Sequence, residues 1–270
     1  MAIVGGPLAY AVLKRLCPDG ETGYLTGEAY ANKSKLRVLF GGRVFDEIRG
    51  RTVIDFGCGT GAEVVEMALA GARRVLGIDV SEKHLDAARR RADAAGVADR
   101  CAFMTTPDEP ADVIVSLDSF EHFQDPAAIL RVMDSYLSPH GKVLATFGPT
   151  WYHPLGGHIF SVFPWAHLLF TESALLRWRK SFHPDQTATT FEECGLNKIT
   201  IGRFRRTVEE SPFRFEWFSA PPIRGIGWLS HPWLREFGTA TVRCALVKRN
   251  PAYEATSAAE LWANQAASGQ

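Results

Sequence analysis

Nine consecutive residues limit most strongly what this chain can fold into. Val53-Ile54-Asp55-Phe56-Gly57-Cys58-Gly59-Thr60-Gly61 set three glycines at alternate positions directly behind an apolar run. The pattern predicts a strand, Thr52 to Phe56, that turns sharply into a helix while its backbone stays close enough to touch a ligand, and glycine permits both. In dinucleotide-binding turns the spacing is G-x-G-x-x-G; here the third glycine arrives one residue early. Asp55 stands before the first glycine, where its carboxylate would repel a pyrophosphate and attract a ligand that carries positive charge. A second apolar run ends in Gly77-Ile78-Asp79-Val80, one strand-helix-strand unit later. A carboxylate at Asp79 can accept hydrogen bonds from both hydroxyls of a ribose, so the two segments together describe a nucleotide-like cofactor site.

The same alternation extends along the chain. Apolar residues at 36, 39, 40, 44, 45 and 48 have helical spacing and predict one helix from Leu36 to Ile48. A helix from Gly61 to Ala70, a strand from Val75 to Ile78 and a helix from Ser81 to near Gly96 follow, the last started by Ser81 with Glu82 beside it. Strands are predicted at Cys101–Met104, at the continuously apolar Val113–Leu117 and at Lys142–Phe147, with a helix opened by Pro126 and ending about Leu137. This order predicts an α/β, doubly wound sheet with ligands at the carboxyl ends of its strands. After Phe147 the regular pattern stops. Residues 149–185 hold many aromatics, prolines and glycines and four histidines. A helix around Ala188–Cys194, a strand at Lys198–Phe204, an irregular aromatic stretch over Ser211–Phe237 and a last strand at Thr239–Val247 complete the reading. At 270 residues and 46% hydrophobic, the chain can bury one large core. The expected division is an amino-terminal helical segment over 1–50, a core over 51–250 with cap insertions at about 149–185 and 209–237, and an Ala-rich tail over 251–270.

Three segments carry a resemblance to the class I S-adenosylmethionine-dependent methyltransferases: Asp55-Phe56-Gly57-Cys58-Gly59-Thr60-Gly61, Gly77-Ile78-Asp79-Val80-Ser81 and Glu121-His122-Phe123-Gln124-Asp125-Pro126. It is close over about residues 50 to 148. The resemblance implies a Rossmann-like, seven-stranded, mostly parallel sheet with an antiparallel last strand, and a cap of both irregular stretches above the cofactor end. It implies S-adenosylmethionine as cofactor, S-adenosylhomocysteine as product, and cofactor contacts at Asp55, Gly57, Gly59, Gly61, Asp79, Val80, Thr105 and Leu117. Relatives often carry an acid for the adenine amino group after the third strand. Here the stretch reads Phe103-Met104-Thr105-Thr106-Pro107, so a threonine hydroxyl stands in as the weaker acceptor.

Catalytic groups are expected at the end of the fourth strand and in the cap. His122 is a candidate general base, since an imidazole titrates near working pH; the alternative is that the Glu-His turn merely holds the following helix. Asp118, Glu121 and His122 also resemble an acid-acid-histidine cluster that binds a divalent metal in some ubiquinone-pathway O-methyltransferases, with a shorter arm at Asp118. In the cap, His153 and His158 can converge on a substrate, with Trp151, Tyr152, Phe160, Phe163 and Trp165 lining an apolar pocket. The other reading makes these aromatics the cap's own small core, at least equally for His167.

Charge and cysteines narrow the class further. Thirty basic residues balance thirty acidic ones, which gives no electrostatic support for a nucleic-acid partner. Five dispersed cysteines without C-x-x-C spacing point to a reducing, cytoplasmic setting. No signal peptide is indicated, and Ile159–Phe170, broken by Pro164 and His167, is too short to span a bilayer. The expected function is methyl transfer to a small, partly apolar or aromatic acceptor through oxygen. The alternatives are a lipid-linked or glycan acceptor, with Ile159–Phe170 as an interfacial anchor, a protein or RNA acceptor, which the neutral charge disfavours, or a cofactor-binding protein without catalysis. The oligomeric state is left open.

Overall fold

The computed structural model describes residues 3–20, 33–223, 231 and 234–249. Three helices come first: α1 (Gly6–Leu16), α2 (Lys35–Phe40) and α3 (Val44–Ile48). The alternation follows as β1 (Thr52–Phe56), α4 (Ala62–Leu69), β2 (Arg74–Ile78), α5 (Glu82–Ala94), β3 (Cys101–Met104), β4 (Ala111–Ser116), α6 (Pro126–Tyr136) and β5 (Leu137–Phe147). The remainder is α7 (Ala166–Leu169), α8 (Glu172–Lys180), α9 (Ile201–Glu209), β6 (Phe213–Ser219), α10 (Arg235–Gly238) and β7 (Val242–Lys248).

All seven strands form one sheet in the order β3-β2-β1-β4-β5-β7-β6. Every pairing is parallel except the two made by β7, so the doubly wound, Rossmann-like sheet with an antiparallel last strand is formed as expected. Because side chains alternate across a strand, Val53 and Val75 enter the core on one face of the sheet, and Ile54 and Leu76 the core on the other. A third apolar cluster, built on Phe160, Phe170, Trp178 and Phe191, lies outside the sheet and takes in Ala9 and Leu13 of α1. The strand order reverses between β1 and β4. Such a reversal opens a crevice at the carboxyl ends of these two strands, which places the glycine turn after β1 opposite Leu117–His122 after β4.

Local signals set most boundaries. Ser81 caps α5 by accepting from the His84 amide, and Asp125 caps α6 by accepting from Ala128 at 2.9 Å, with Pro126 as first helical residue.

Four expectations are corrected. The single helix Leu36–Ile48 is two, because Gly41 closes α2 with φ +77° and returns its amide to Arg37 O at 2.9 Å. Ala188–Cys194 is a series of turns, where the Glu193 carboxylate accepts from the Thr189 hydroxyl at 3.0 Å, a side-chain bond that competes with a helix. The strand expected at Lys198–Phe204 is instead the start of α9. Thr200 caps it, and the Glu236 carboxylate accepts from the Ile201 and Gly202 amides, each at 2.9 Å. Ile201, Phe204 and Val208 are its buried face, a helical spacing visible only beyond Phe204. Finally, Ser211–Phe237 is not wholly irregular: Phe213–Ser219 is β6, paired with β7, and the last strand begins at Val242 rather than Thr239. Residues 149–185 also hold α7 and α8. Residues 21–32, 224–230 and the tail 251–270 lie outside the described residues, and among those described no helix is long and apolar enough to cross a membrane.

Phe204 locks α9 to the sheet, with ring centroids 5.2 Å from Phe120 and 4.8 Å from Phe147. Phe204→Ala is expected to cost about 3–5 kcal/mol in urea unfolding, while Arg206→Ala on the exposed face of the same helix changes stability by less than about 0.5 kcal/mol.

Candidate active site

The glycine turn is fastened to β2 by its own backbone. Gly57 and Cys58 both donate to Ile78 O, at 2.8 and 2.9 Å, and Gly59 N donates to Asp79 Oδ2 at 2.9 Å. The other Asp79 oxygen accepts from Ser81 N at 2.8 Å, so one carboxylate joins the turn to the start of α5. Oδ2 keeps a further lone pair for an outside donor, while His84 Nδ1 lies 3.4 Å from Oδ1. Gly61 has φ +75°, and a Cβ there would stand 2.7 Å from Ala88 Cβ, a contact that would force α4 and α5 apart. Gly59 differs: at φ +49° a Cβ would meet nothing within 4 Å, so its backbone faces open space. Beside it Val80 is 97% exposed, an apolar side chain with no packing partner. Thr105 is exposed at the end of β3, and Leu117 is almost buried at the end of β4.

Asp55 lies beneath this shelf. It is buried, its Oδ2 has no partner, and burial, reinforced by Glu63, raises its pKa to about 8, with Lys35 opposing. The acid is therefore protonated at neutral pH and holds an unused acceptor. A buried orphan of this kind fits a cationic donor, which is the demand S-adenosylmethionine would meet.

After β4 the three expected ligands diverge. Asp118, at φ +49°, accepts from Thr146 Oγ1 at 3.0 Å and pairs with Lys35 at 3.0 Å. Glu121 is buried, accepts from Gly148 N at 3.1 Å through Oε1, and leaves Oε2 without a partner. Burial, and then Asp118, push its pKa up to about 8. His122 is exposed, with Nδ1 2.8 Å from Gly195 O. A carbonyl only accepts, so Nδ1 carries the proton and Nε2 keeps the lone pair. Among the described residues no three His, Cys, Asp or Glu side chains gather to hold a metal. Asp118, expected among the catalytic residues and as a metal ligand, thus anchors α2 through Lys35.

The cap histidines separate. His158, at φ +50°, sets its ring against His122 with centroids 5.5 Å apart and hydrogen-bonds the Pro149 backbone. Burial, then His122, lowers its pKa to about 4, so it is neutral. His153 is buried, and its Nδ1 accepts from Leu155 N at 3.1 Å, organising its own turn. His167 bonds Trp151 O at 2.6 Å. Burial lowers both pKa values to about 4. The expected aromatic pocket is also corrected, because Phe160 sits in the cap's core with Trp151 and Phe163 packed on it. A cleft of about 410 Å³ opens beside His122, lined also by Gln124, Glu192, Glu193, Asn197 and Arg203.

Sequence reasoning missed three residues here. Lys35 is the cation among Asp55, Asp118 and Glu121. Ser119 faces the turn, since a Cβ on Gly57 would come 3.4 Å from its Oγ. Asn197 donates to Phe120 O and Phe123 O, at 2.6 and 2.7 Å, tying the cap to the loop that carries His122. Nothing in the local sequence marks Lys35 or Asn197, whose partners are distant in the chain.

A family model described as a methyltransferase domain matches residues 28–201. The chain belongs to the class I S-adenosylmethionine-dependent methyltransferases. This methyltransferase is 31% identical over 166 residues to a ubiquinone biosynthesis O-methyltransferase of Neisseria meningitidis, covering 56% of this chain and 66% of that one. It is 30% identical over 156 residues to a ribosomal protein L11 methyltransferase of Aeromonas hydrophila, covering 58% and 48%. It thus spans about half to two thirds of the length of these curated relatives. Magnesium protoporphyrin IX methyltransferase of Synechocystis, solved with S-adenosylhomocysteine, matches 90% of this chain and 95% of its own at a TM-score of 0.51 and 15% identity, a likeness of fold.

Glu121 gives the site a pH signature. Its pKa rises from 4.5 unfolded to about 8 folded, so its contribution to stability is complete below pH 4.5 and is lost as pH rises toward 8. The buried histidines act oppositely, contributing above 6.5 and losing that as pH falls toward 4. Glu121→Gln keeps an acceptor for Gly148 and removes the ionisation. Urea unfolding is expected to show the variant gaining on the native protein between pH 5 and 8, by on the order of 2–4 kcal/mol.

Proposed function

We propose that this methyltransferase moves a methyl group from S-adenosylmethionine to a small, partly apolar or aromatic acceptor through oxygen. The observation that carries the cofactor half is the buried Asp55 carboxyl, whose Oδ2 has no partner, just before the turn whose Gly59 backbone is open. When bound, the cofactor supplies an electrophilic methyl on a sulfonium. The backbone of Gly57, Gly59 and Gly61 lets it lie close, and Asp55 takes a hydrogen bond from its ammonium. Asp79 receives the ribose hydroxyls, Val80 and Leu117 give the adenine apolar surface, and Thr105 accepts from its amino group.

The acceptor half rests on His122. Its Nδ1 is fixed by Gly195 O, so Nε2 is the free base beside the cleft, and neutral His158 against its ring adds no competing charge. Nε2 would take the proton of an acceptor hydroxyl and return it to water, while the bound cofactor would supply the methyl group and leave as S-adenosylhomocysteine. Alignment of oxygen, carbon and sulfur supplies several kcal/mol more. Of the two relatives, one is named for O-methylation and the other for a ribosomal protein; the balanced charge of this chain favours the small neutral acceptor.

Calorimetry with S-adenosylmethionine and S-adenosylhomocysteine is expected to show binding that Asp79→Ala weakens at least tenfold; no binding to the native protein would sink the proposal. A cation over Asp55 favours its ionised form, so binding releases a proton near neutral pH and affinity rises with pH up to about 8. Asp55→Asn abolishes that release, measured by titration in buffers of different ionisation enthalpy. With a panel of phenols and alcohols, His122→Gln is expected to lower kcat about a hundredfold with cofactor binding unchanged.

A further inference from the structure

Helix α1 carries more apolar surface than its packing uses. Ala9 and Leu13 are fully buried against the cap, and the helix runs beside α8, where Trp178 Nε1 donates to Cys17 O at 3.3 Å and Arg177 lies over the Tyr10 ring. Along the edge of that buried face Leu8, Val12 and Leu16 are 71%, 36% and 56% exposed. Residues four apart are rotated by about 40°, so these three form one stripe. Ile3, 82% exposed, continues it, and its amide donates to Leu169 O at 2.9 Å. Leu169 is exposed, as is Trp165 four residues before it on α7. The apolar surface therefore passes from α1 onto the cap.

Charge around it is mostly positive, with Asp19 the acid beside the end of α1. α1 has no acid in its first turn and ends on Lys14 and Arg15. α8 ends on Arg177, Arg179 and Lys180, and its acid Glu172 is engaged by Lys198 at 3.2 Å. In a chain whose total charge is zero, this concentrates cations at the rim of an apolar face. We propose that the face formed by α1 and α7 docks on an anionic lipid surface, with Leu8, Val12, Leu16, Ile3 and Trp165 entering the acyl boundary and Arg15 and Lys180 meeting the headgroups. Complementary charge favours this occupant. A two-fold contact with a second copy would set the same cations against each other, and a nucleic acid would leave the apolar stripe uncovered. The inference is independent of which acceptor is methylated.

The full chain is tested by co-sedimentation with vesicles of phosphatidylcholine alone and of phosphatidylcholine mixed with phosphatidylglycerol. The native protein is expected to sediment with the mixed vesicles, and at least tenfold less with the neutral ones or at high salt. Leu8→Gln/Leu16→Gln and Arg15→Glu/Lys180→Glu, all at exposed positions, each lower binding to mixed vesicles at least tenfold while circular dichroism and calorimetric cofactor binding stay native. Absence of sedimentation with anionic vesicles, or sedimentation unaltered in Leu8→Gln/Leu16→Gln, overturns the proposal. So does a dimer in sedimentation velocity that Leu8→Gln/Leu16→Gln dissociates, which assigns the face to a second copy. Cofactor binding, read separately, keeps a failure here distinct from a failure of the methyl-transfer reading.

Discussion

One carboxylate holds the cofactor end of this protein together. Asp79 grips the Gly59 amide with one oxygen and the Ser81 amide with the other, so the loop after β1 and the start of α5 share a single anion. Charge-assisted bonds to backbone amides are the strong kind, and here they fix the one loop whose glycines have no side chains to pack. Everything above the sheet takes its place from that fixed edge: the open backbone at Gly59, the bare Val80, and the crevice toward β4.

Around this edge the protein gathers more acid than it neutralises. Asp55 and Glu121 are both buried with one oxygen unpartnered, Asp118 lies near Glu121, and Lys35 is a cation that acts on all three. Protonation, not pairing, keeps the two buried acids tolerable when nothing is bound, because an isolated buried carboxylate would cost far more than the proton. A cationic ligand changes that balance, and a neutral one does not. Selection for a positively charged cofactor is thus written into desolvation as much as into contacts.

The legible parts of the sequence were those whose cause is local. Thr52–Phe56, the glycine turn, the Ser81 cap and Pro126 depend on neighbours within a turn or two, and each stands where the pattern placed it. What escaped depends on distant partners. Helix α9 takes its amino-terminal cap from Glu236, 35 residues further on, and Lys198–Phe204 alone carries β-branched residues that read as a strand. Some aromatics after Phe147 looked like a pocket because composition does not say what faces what; Phe160, with Trp151 and Phe163, closes on Trp178 and Phe191, while Tyr152 and Trp165 stay exposed. Asp118 looked like a ligand until Lys35, from a helix far upstream, was found on it.

The place of β7 has a consequence for the order in which this protein is made. It comes last among the described strands, yet it lies between β5 and β6, and β6 has no other described strand beside it. Arg243 of β7 also donates to Leu39 O, across 204 residues, pinning the segment that supplies Lys35. A ribosome therefore delivers β6 well before its neighbour, with its ladder groups unpaired. The nascent sheet stays open at that edge until the final strand emerges and slides into the gap, closing the sheet and the amino-terminal segment in one event.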